Sequence, residues 1–251
     1  MNDGKKFDPY TDLLKPDEVD PEQVPPPIPA ATLVLLRDSD DGVEVLMLRK
    51  TSAIRFGGMW VFPGGRVDPG DYPPDGDATA AARNAAARES REEAGIEVDP
   101  DEFIWFSHWT PPPITPKRFS TWFFAAPAAG HHQVTIDGGE IHDHQWINPE
   151  VAHARHRGGE IDLVPPTWVT LHSLSGHASV ADLLAHLRAR PPQIYVTHLS
   201  ETPDGERVTL WEGDAGYDAW DASIPGPRHR LTMTRGGGYV FDDSGRPRRN
   251  G

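Results

Sequence analysis

An α/β protein is the fold class this sequence predicts, on three observations. Two apolar runs of strand character, A-A-T-L-V-L-L-R from Ala30 and V-E-V-L-M-L-R-K from Val43, flank the turn residues D-S-D-D-G. The segment from Ala78 to Ala94 consists almost entirely of good helix formers. Aromatic-rich strand patterns and then helical patterns follow it, so both kinds of element recur along the chain.

Taken in order, residues 1–29 are acidic and punctuated by Pro16, Pro21, Pro25, Pro26, Pro27 and Pro29, which predicts an extended arm. The fold starts at Ala30 with the hairpin. The helix at Ala78 has Asp77 or Thr79 available as its cap, and Gly95 ends it. E-F-I-W-F-S-H-W-T reads as a strand, P-P-P-I-T-P as a rigid loop and R-F-S-T-W-F-F-A-A as another strand. Their Trp105, Trp109, Trp122 and Phe124 are core candidates, with stacking on a nucleobase as the minority use. D-G-G-E-I-H-D-H-Q-W-I is a turn leading into a strand. His142 and His144 share a face of it, but no third nitrogen ligand stands at a recognisable spacing.

Three helical patterns come next, P-E-V-A-H-A-R-H, P-P-T-W-V-T-L-H-S-L and a segment capped by Ser179. The last carries Val180, Leu183, Leu184 and Leu187 at amphipathic spacing. From residue 191 the pattern turns to β structure, a C-terminal extension. I-Y-V-T-H-L-S and R-V-T-L-W-E flank T-P-D-G, and R-L-T-M-T and Y-V-F flank a triple glycine, each reading as a hairpin. R-P-R-R-N-G reads as a frayed end. Hairpin edges are protected when they pair with a second copy, so a homodimer is compatible with this extension.

Chemistry concentrates between Trp60 and Ile96. At about 100° per residue, Glu89, Glu92 and Glu93 fall within an arc of roughly 100° on one helix face. Glu89 and Glu93 are a like-charge i,i+4 pair, which costs a helix a few tenths of a kcal/mol. Alone, such a run is a solvated helix face. Preceded by F-P-G-G, whose glycines let backbone approach a ligand closely, it reads as a site for a hard divalent cation. Oxygen-only ligands point to Mg²⁺ or Mn²⁺. Arg49, Lys50 and Arg55 bring positive charge near that turn, as ordinary surface cations or as phosphate contacts.

These residues resemble the Nudix box, the signature of the Nudix hydrolases, G-x5-E-x7-R-E-U-x-E-E-x-G-U with U bulky and apolar. Gly65 fills the first position, and Arg88, Glu89, Glu92, Glu93, Gly95 and Ile96 fill the second half. Ser90 stands where a bulky apolar residue is usual, and Asp71 replaces the first glutamate. Sixteen residues, 72–87, separate Asp71 from Arg88 where the pattern has seven, so no role is carried over to Asp71. The Y-P-P-D-G-D part of this insertion should bulge as a loop and leave the glutamates in place.

The resemblance implies a Nudix α/β/α sandwich with a mixed sheet over residues 30–190, followed by the C-terminal β extension of residues 191–251. It implies metal-dependent hydrolysis of a diphosphate linking a nucleoside to another group. Glu89, Glu92 and Glu93 would be metal ligands, Arg88 would hold a glutamate in place, and the Gly64 or Gly65 carbonyl would add an oxygen. Glu140 lies in a segment similar to the loop that supplies a further metal-binding or base glutamate. Gly58-x3-F-P-G-G resembles part of a motif in coenzyme A diphosphatases, which favours coenzyme A or acyl-CoA, with Arg49, Lys50, Arg55 and Gly64 as binding residues. ADP-ribose, NADH and nucleotide sugars are the alternative substrates. A non-catalytic nucleotide sensor or scaffold is the alternative of another class, and the retained Arg88, Glu89, Glu92 and Glu93 argue against it.

Composition sets the bounds. A chain of 251 residues is long enough for a substantial core. The absence of cysteine excludes disulfides and thiolate metal sites and fits a cytoplasmic location. No apolar run reaches membrane-spanning length, and M-N-D-G-K-K-F-D is not a signal peptide. A net charge of −14 argues against nucleic acid or an anionic membrane as partner. A nucleotide-type small molecule, bridged by cations, is the expected partner.

Overall fold

In the computed structural model, which describes residues 24–51, 57–113, 117–128, 133–136 and 138–246, the strand Ile28–Ser39 (β1) is buried on both faces through its middle. Leu33 and Leu35 pack into one apolar layer and Val34 and Leu36 into the other, following the two-residue period of a strand. Each such buried side chain contributes about 1.5–3 kcal/mol. Gly42–Lys50 (β2) and the short Gly64–Arg66 (β4) pair antiparallel with β1, and Phe119–Pro127 (β6) pairs parallel with it. Trp60–Val61 (β3) and Ile141–Ile147 (β7) join β2. Ile104–Thr110 (β5) runs antiparallel to β6, and Gln193–Val196 (β8) runs parallel to β5. The result is an eight-stranded mixed sheet.

Helix Ala78–Ala94 (α1) covers one face of the sheet. Its Ala82, Ala85 and Ala86 are fully buried with Leu33 and Leu35, and side chains this small let helix and sheet backbones come close. Of the two available caps, Asp77 serves, accepting from the N–H groups of Thr79 and Ala80. Gly95 ends the helix in the left-handed region, φ 68°. Pro149–Arg157 (α2), Pro165–Leu174 (α3) and Val180–Arg188 (α4) supply Ala152, Leu171 and Leu184 to the opposite face. The architecture is therefore the expected α/β/α sandwich. Ser90 is 0 % exposed, and its hydroxyl donates to the Ile96 carbonyl at 3.0 Å. That bond explains how a small polar residue fills an apolar position: it closes the helix end on itself.

His198–Glu201 (β9), Arg207–Leu210 (β10), Arg230–Met233 (β11) and Tyr239–Asp242 (β12) form a second, antiparallel sheet. Both expected hairpins are present, β9–β10 and β11–β12. One expectation is corrected: I-Y-V-T-H-L-S is not a single strand. Its first half is β8 in the large sheet and its second half is β9, with the break at Thr197. There the N–H still donates to Thr110 O, while the hydroxyl accepts from Trp211 Nε1 at 3.1 Å. Arg246, the first residue of the expected frayed end, is tied to the Gln193 side chain, and the residues after it lie outside the described ones. No helix among the described residues is long and apolar enough to cross a membrane.

The small sheet is part of the main core. Trp211 and Leu231 are 0 % exposed in the same apolar cluster as α2, α3 and α4. A buried ion pair secures its base. Arg230 donates to both oxygens of Asp214, at 2.7 and 2.6 Å, and the N–H groups of Gly216 and His229 add two bonds of 2.9 Å. Burial works to raise the Asp214 carboxyl, and these donors outweigh it and hold it below its ordinary value. Asp214→Asn, which leaves a buried guanidinium uncompensated, should cost about 3–5 kcal/mol in denaturant unfolding at pH 7. The pair's contribution is fully present above the unfolded carboxyl's pKa, about 3.9, and is lost as pH falls through the lower folded value. The gap between wild type and variant should therefore close on acidification, and a constant gap would remove the ion pair as its cause.

Candidate active site

The F-P-G-G turn delivers Gly64 and Gly65 to β4, which lies between the N-terminal half of β1 and the C-terminal half of α1. Gly64 N–H donates to Glu93 Oε2 at 2.9 Å. A side chain at Gly65 would begin 2.2 Å from Glu89 Oε1, so this carboxylate occupies space that only glycine leaves open. Backbone polarity and the absence of a Cβ thus seat two helix carboxylates against one turn. Their i,i+4 spacing on α1 was legible in sequence, but the seat was not.

Arg88 organises the same face. Its Nε and Nη2 grip Asp71 Oδ1 and Oδ2 at 3.2 and 3.0 Å, and Nη2 also donates to Arg66 O at 2.9 Å. Nη1 reaches Glu89 Oε1 at 2.8 Å and Glu92 Oε2 at 3.2 Å. The Asp71 bonds are the main reason the guanidinium's pKa is raised, against the opposing effect of burial. Burial works to raise Asp71, and Arg88 and the Asp68 N–H hold its carboxyl below the usual range. Asp71 is thus a site-building residue that the sequence reading did not assign. The long insertion hid it: residues 72–77 form a loop, the remainder extends α1, and Asn84 Nδ2 ties that extension back to Asp71 O at 2.8 Å. The signal was its alignment with the box's first acidic position, which the length of the insertion had set aside.

On the other side stands Lys50, where β2 bulges between Arg49 and Lys50. A bulge re-aims the side chain beside it. Lys50 Nζ lies 3.4 Å from Glu93 Oε1 and 3.8 Å from Glu140 Oε2. The Glu140 loop is tied down by Thr51 N–H donating to Glu140 O at 2.8 Å. Burial pushes the Glu93 carboxyl up to about 7, against the pull of Lys50 and the Gly64 N–H. Glu89 is raised too, chiefly by burial, with Arg88 opposing.

Glu89, Glu92, Glu93, Lys50, Glu140, Gly64 and Gly65 all line one cavity of about 760 Å³. Arg88 stands behind it, outside the lining. Arg49 does not line it either, and its Nε faces Gly58 O at 3.4 Å. Arg55 lies outside the described residues. Among the four aromatic candidates, Trp109 alone lines the cavity, while Phe124 is core. The remaining wall includes Phe62, Phe123 and Thr197, with Thr209 and Trp211 behind it and 0 % exposed. No sequence signal pointed to the last three, which lie about a hundred residues beyond the box.

Whether these residues suit a divalent cation is decided by donor chemistry. Among the described residues no three His, Cys, Asp or Glu side chains stand as a metal-holding cluster. His142 and His144 are exposed on β7. Glu89 and Glu93 nevertheless provide hard oxygen donors whose ionised forms are disfavoured by burial, and Glu89 adds to the strain on Glu93 by like charge. A cation relieves both effects, and the oxygen-only set fits one.

Asp71→Asn should release half of the grip on Arg88 and lower activity by about 10–100-fold, the usual cost of a lost supporting partner. Asp71→Glu, which keeps the charge, should retain more activity than the amide. Steady-state kinetics beside circular dichroism checks this, and equal loss in both variants would mean that Asp71 acts only on the fold.

Residues 26–169 match the family model described as NUDIX domain. A NUDIX hydrolase from Alicyclobacillus acidocaldarius is similar in structure, with TM-score 0.58, 24% identity, and coverage of 66% of this chain and 99% of that one. The NUDIX domain of Shewanella oneidensis NrtR, solved with ADP ribose, has TM-score 0.46 and 16% identity, covering 62% of this chain and 91% of that one. A C. elegans Ap4A hydrolase in a binary complex has TM-score 0.45 and 22% identity, covering 65% and 99%. The likeness to the Alicyclobacillus protein is one of fold, whereas the family match spans more than half of the chain. It follows that the chain belongs to the NUDIX domain family and is a Nudix-fold hydrolase.

Proposed function

We propose that this protein hydrolyses the diphosphate of a small nucleotide-type substrate, with Mg²⁺ or Mn²⁺ as cofactor. The observation that carries the reading is the seating of Glu89 and Glu93 against Gly64 and Gly65 inside a cavity. Glu89 and Glu93, with Glu92 and the Gly65 carbonyl, are the groups that would hold the ion. When bound, it supplies Lewis-acid polarisation of phosphoryl oxygens and a water of lowered pKa.

This chain's own residues then divide the remaining work. Arg88 fixes Glu89 and Glu92 by charge-assisted bonds, so the carboxylates need not reorganise during the reaction. Lys50 brings positive charge to the cavity of a protein of net charge −14 and serves as a phosphate contact. Glu140 takes the proton of the attacking water as its oxygen bonds to phosphorus and the anhydride P–O bond breaks. Coenzyme A or an acyl derivative is the favoured substrate within this reading. It is supported by the Gly58-x3-F-P-G-G spacing, with Gly58 in the left-handed region at φ +82°.

Turnover of coenzyme A, dephospho-coenzyme A, ADP-ribose, NADH, dinucleoside polyphosphates and nucleotide sugars, each with Mg²⁺ and with Mn²⁺, tests the reading. Glu93→Gln should lower turnover by ~10³ or more, the scale of losing a charge-stabilising group. Tight binding of a nucleotide without turnover would favour the sensor class instead. Preference for dephospho-coenzyme A or ADP-ribose would overturn the substrate while leaving the hydrolysis.

Glu140→Gln should lower kcat by ~10²–10⁴ with little change in substrate affinity. An effect confined to KM would make Glu140 a binding residue, and no effect would return it to the role of a turn carboxylate.

A further inference from the structure

We propose that Lys117 receives a second anionic group of the substrate, a phosphomonoester remote from the diphosphate at the glutamates. The inference rests on the proposed diphosphate reading only in placing the other half of that substrate. Among the described residues, three cationic side chains line the cavity, those of Lys50, Arg66 and Lys117. Lys50 is taken by Glu93 and Glu140, at 3.4 and 3.8 Å, and Arg66 by Asp68 at 3.4 Å. Lys117 has no carboxylate partner among the described residues, and its Nζ stands over the Phe119 ring, 5.5 Å from the centre. Arg118 beside it does not line the cavity, and its Nη2 donates to Pro25 O at 2.9 Å. The cation left for a ligand is therefore Lys117.

Strand register gives the separation between the two ends of the cavity. Gly65 pairs with Ala31 on β1, and Ala31 pairs with Trp122 on β6. Phe119 thus lies two strands across from Gly65 and three residues along, about 14 Å between Cα positions at ordinary sheet spacings. A diphosphate is shorter than this, so the one seated at the glutamates is not the group that meets Lys117. Lys117 is exposed, and Phe119, Thr121 and Thr110 at the same end of the cavity are half-buried, so a ligand finds open surface there. Phe119 holds the ammonium against a flat ring, which reduces the freedom a long side chain loses on binding. The ammonium offers three N–H donors to phosphate oxygens and has no carboxylate to give up first. Among the proposed substrates, coenzyme A carries such a phosphate, whereas ADP-ribose and NADH do not.

Calorimetric titration of the full chain, with Mg²⁺ present, tests this without turnover. The probes are the non-hydrolysable α,β-methylene-ADP, its 2′-phosphate and its 3′-phosphate. One of the two phosphorylated probes should bind about tenfold tighter than the parent or better, the scale of one charge-assisted bond. Lys117→Met keeps much of the side chain's length and removes its charge. It should shrink that advantage below about threefold and leave the parent's affinity within about twofold, whereas Lys117→Arg should keep most of the advantage. Equal binding of all three probes, no binding by any, or an advantage that survives Lys117→Met overturns the proposal. Equal weakening of the parent and the phosphorylated probes in Lys117→Met overturns it too, because Lys117 would then serve the common part. A phosphomonoester preference without turnover of any diphosphate would sink the hydrolase reading and leave the role of Lys117 standing. Turnover without the preference would do the reverse.

Discussion

The guanidinium of Arg88 joins three pieces of chain that are otherwise only neighbours: the turn holding Asp71, the backbone of Arg66 beside the glycines, and the carboxylate face of α1. Its fork geometry matters, because two parallel bonds to Asp71 leave Nη1 directed at Glu89 and Glu92. A lysine has no such fork. Without this brace the carboxylates would repel one another along the helix and splay into solvent. With it, they are held at the turn before any ligand arrives.

Concentrating negative charge in a part-buried place raises the free energy of the ionised carboxylates, as the upward displacement of Glu89 and Glu93 records. Three local devices limit that strain: the Gly64 N–H, the Lys50 ammonium and Arg88 itself. Steric space is the complementary requirement. Backbone approach at Gly64 is as close as that of the carboxylate at Gly65, since a Cβ there would meet Ala31 O at 2.5 Å. The glycines of the turn are therefore required by contact with β1 and α1.

The C-terminal sheet packs into the apolar layer on the opposite face of the large sheet. It is held by apolar burial of Trp211 and Leu231 and by the Asp214–Arg230 pair, whose oxygens are matched by donors within the same segment. Trp211, just after β10, meets Trp109 of the large sheet edge-on, so the two sheets share one core.

Local information determined much of this protein. Period-two runs marked β1 and β2, helix formers with Asp77 and Gly95 bounded α1, and Ser179 capped α4, because these signals act over a few residues. The i,i+4 spacing of Glu89 and Glu93 likewise put both on one face without reference to the rest of the fold. What only the tertiary structure decided were meetings between distant segments. Asp71 reaches Arg88 across an insertion of arbitrary length, and Lys50 reaches Glu93 through a bulge that no composition announces. I-Y-V-T-H-L-S divides between two sheets because Thr197 is anchored by Trp211, a residue fourteen positions away. Trp211 and Leu231 join the core of the large sheet through the packing of one sheet on another. Short-range propensity is written residue by residue, whereas which surfaces meet depends on burying all the apolar faces at once.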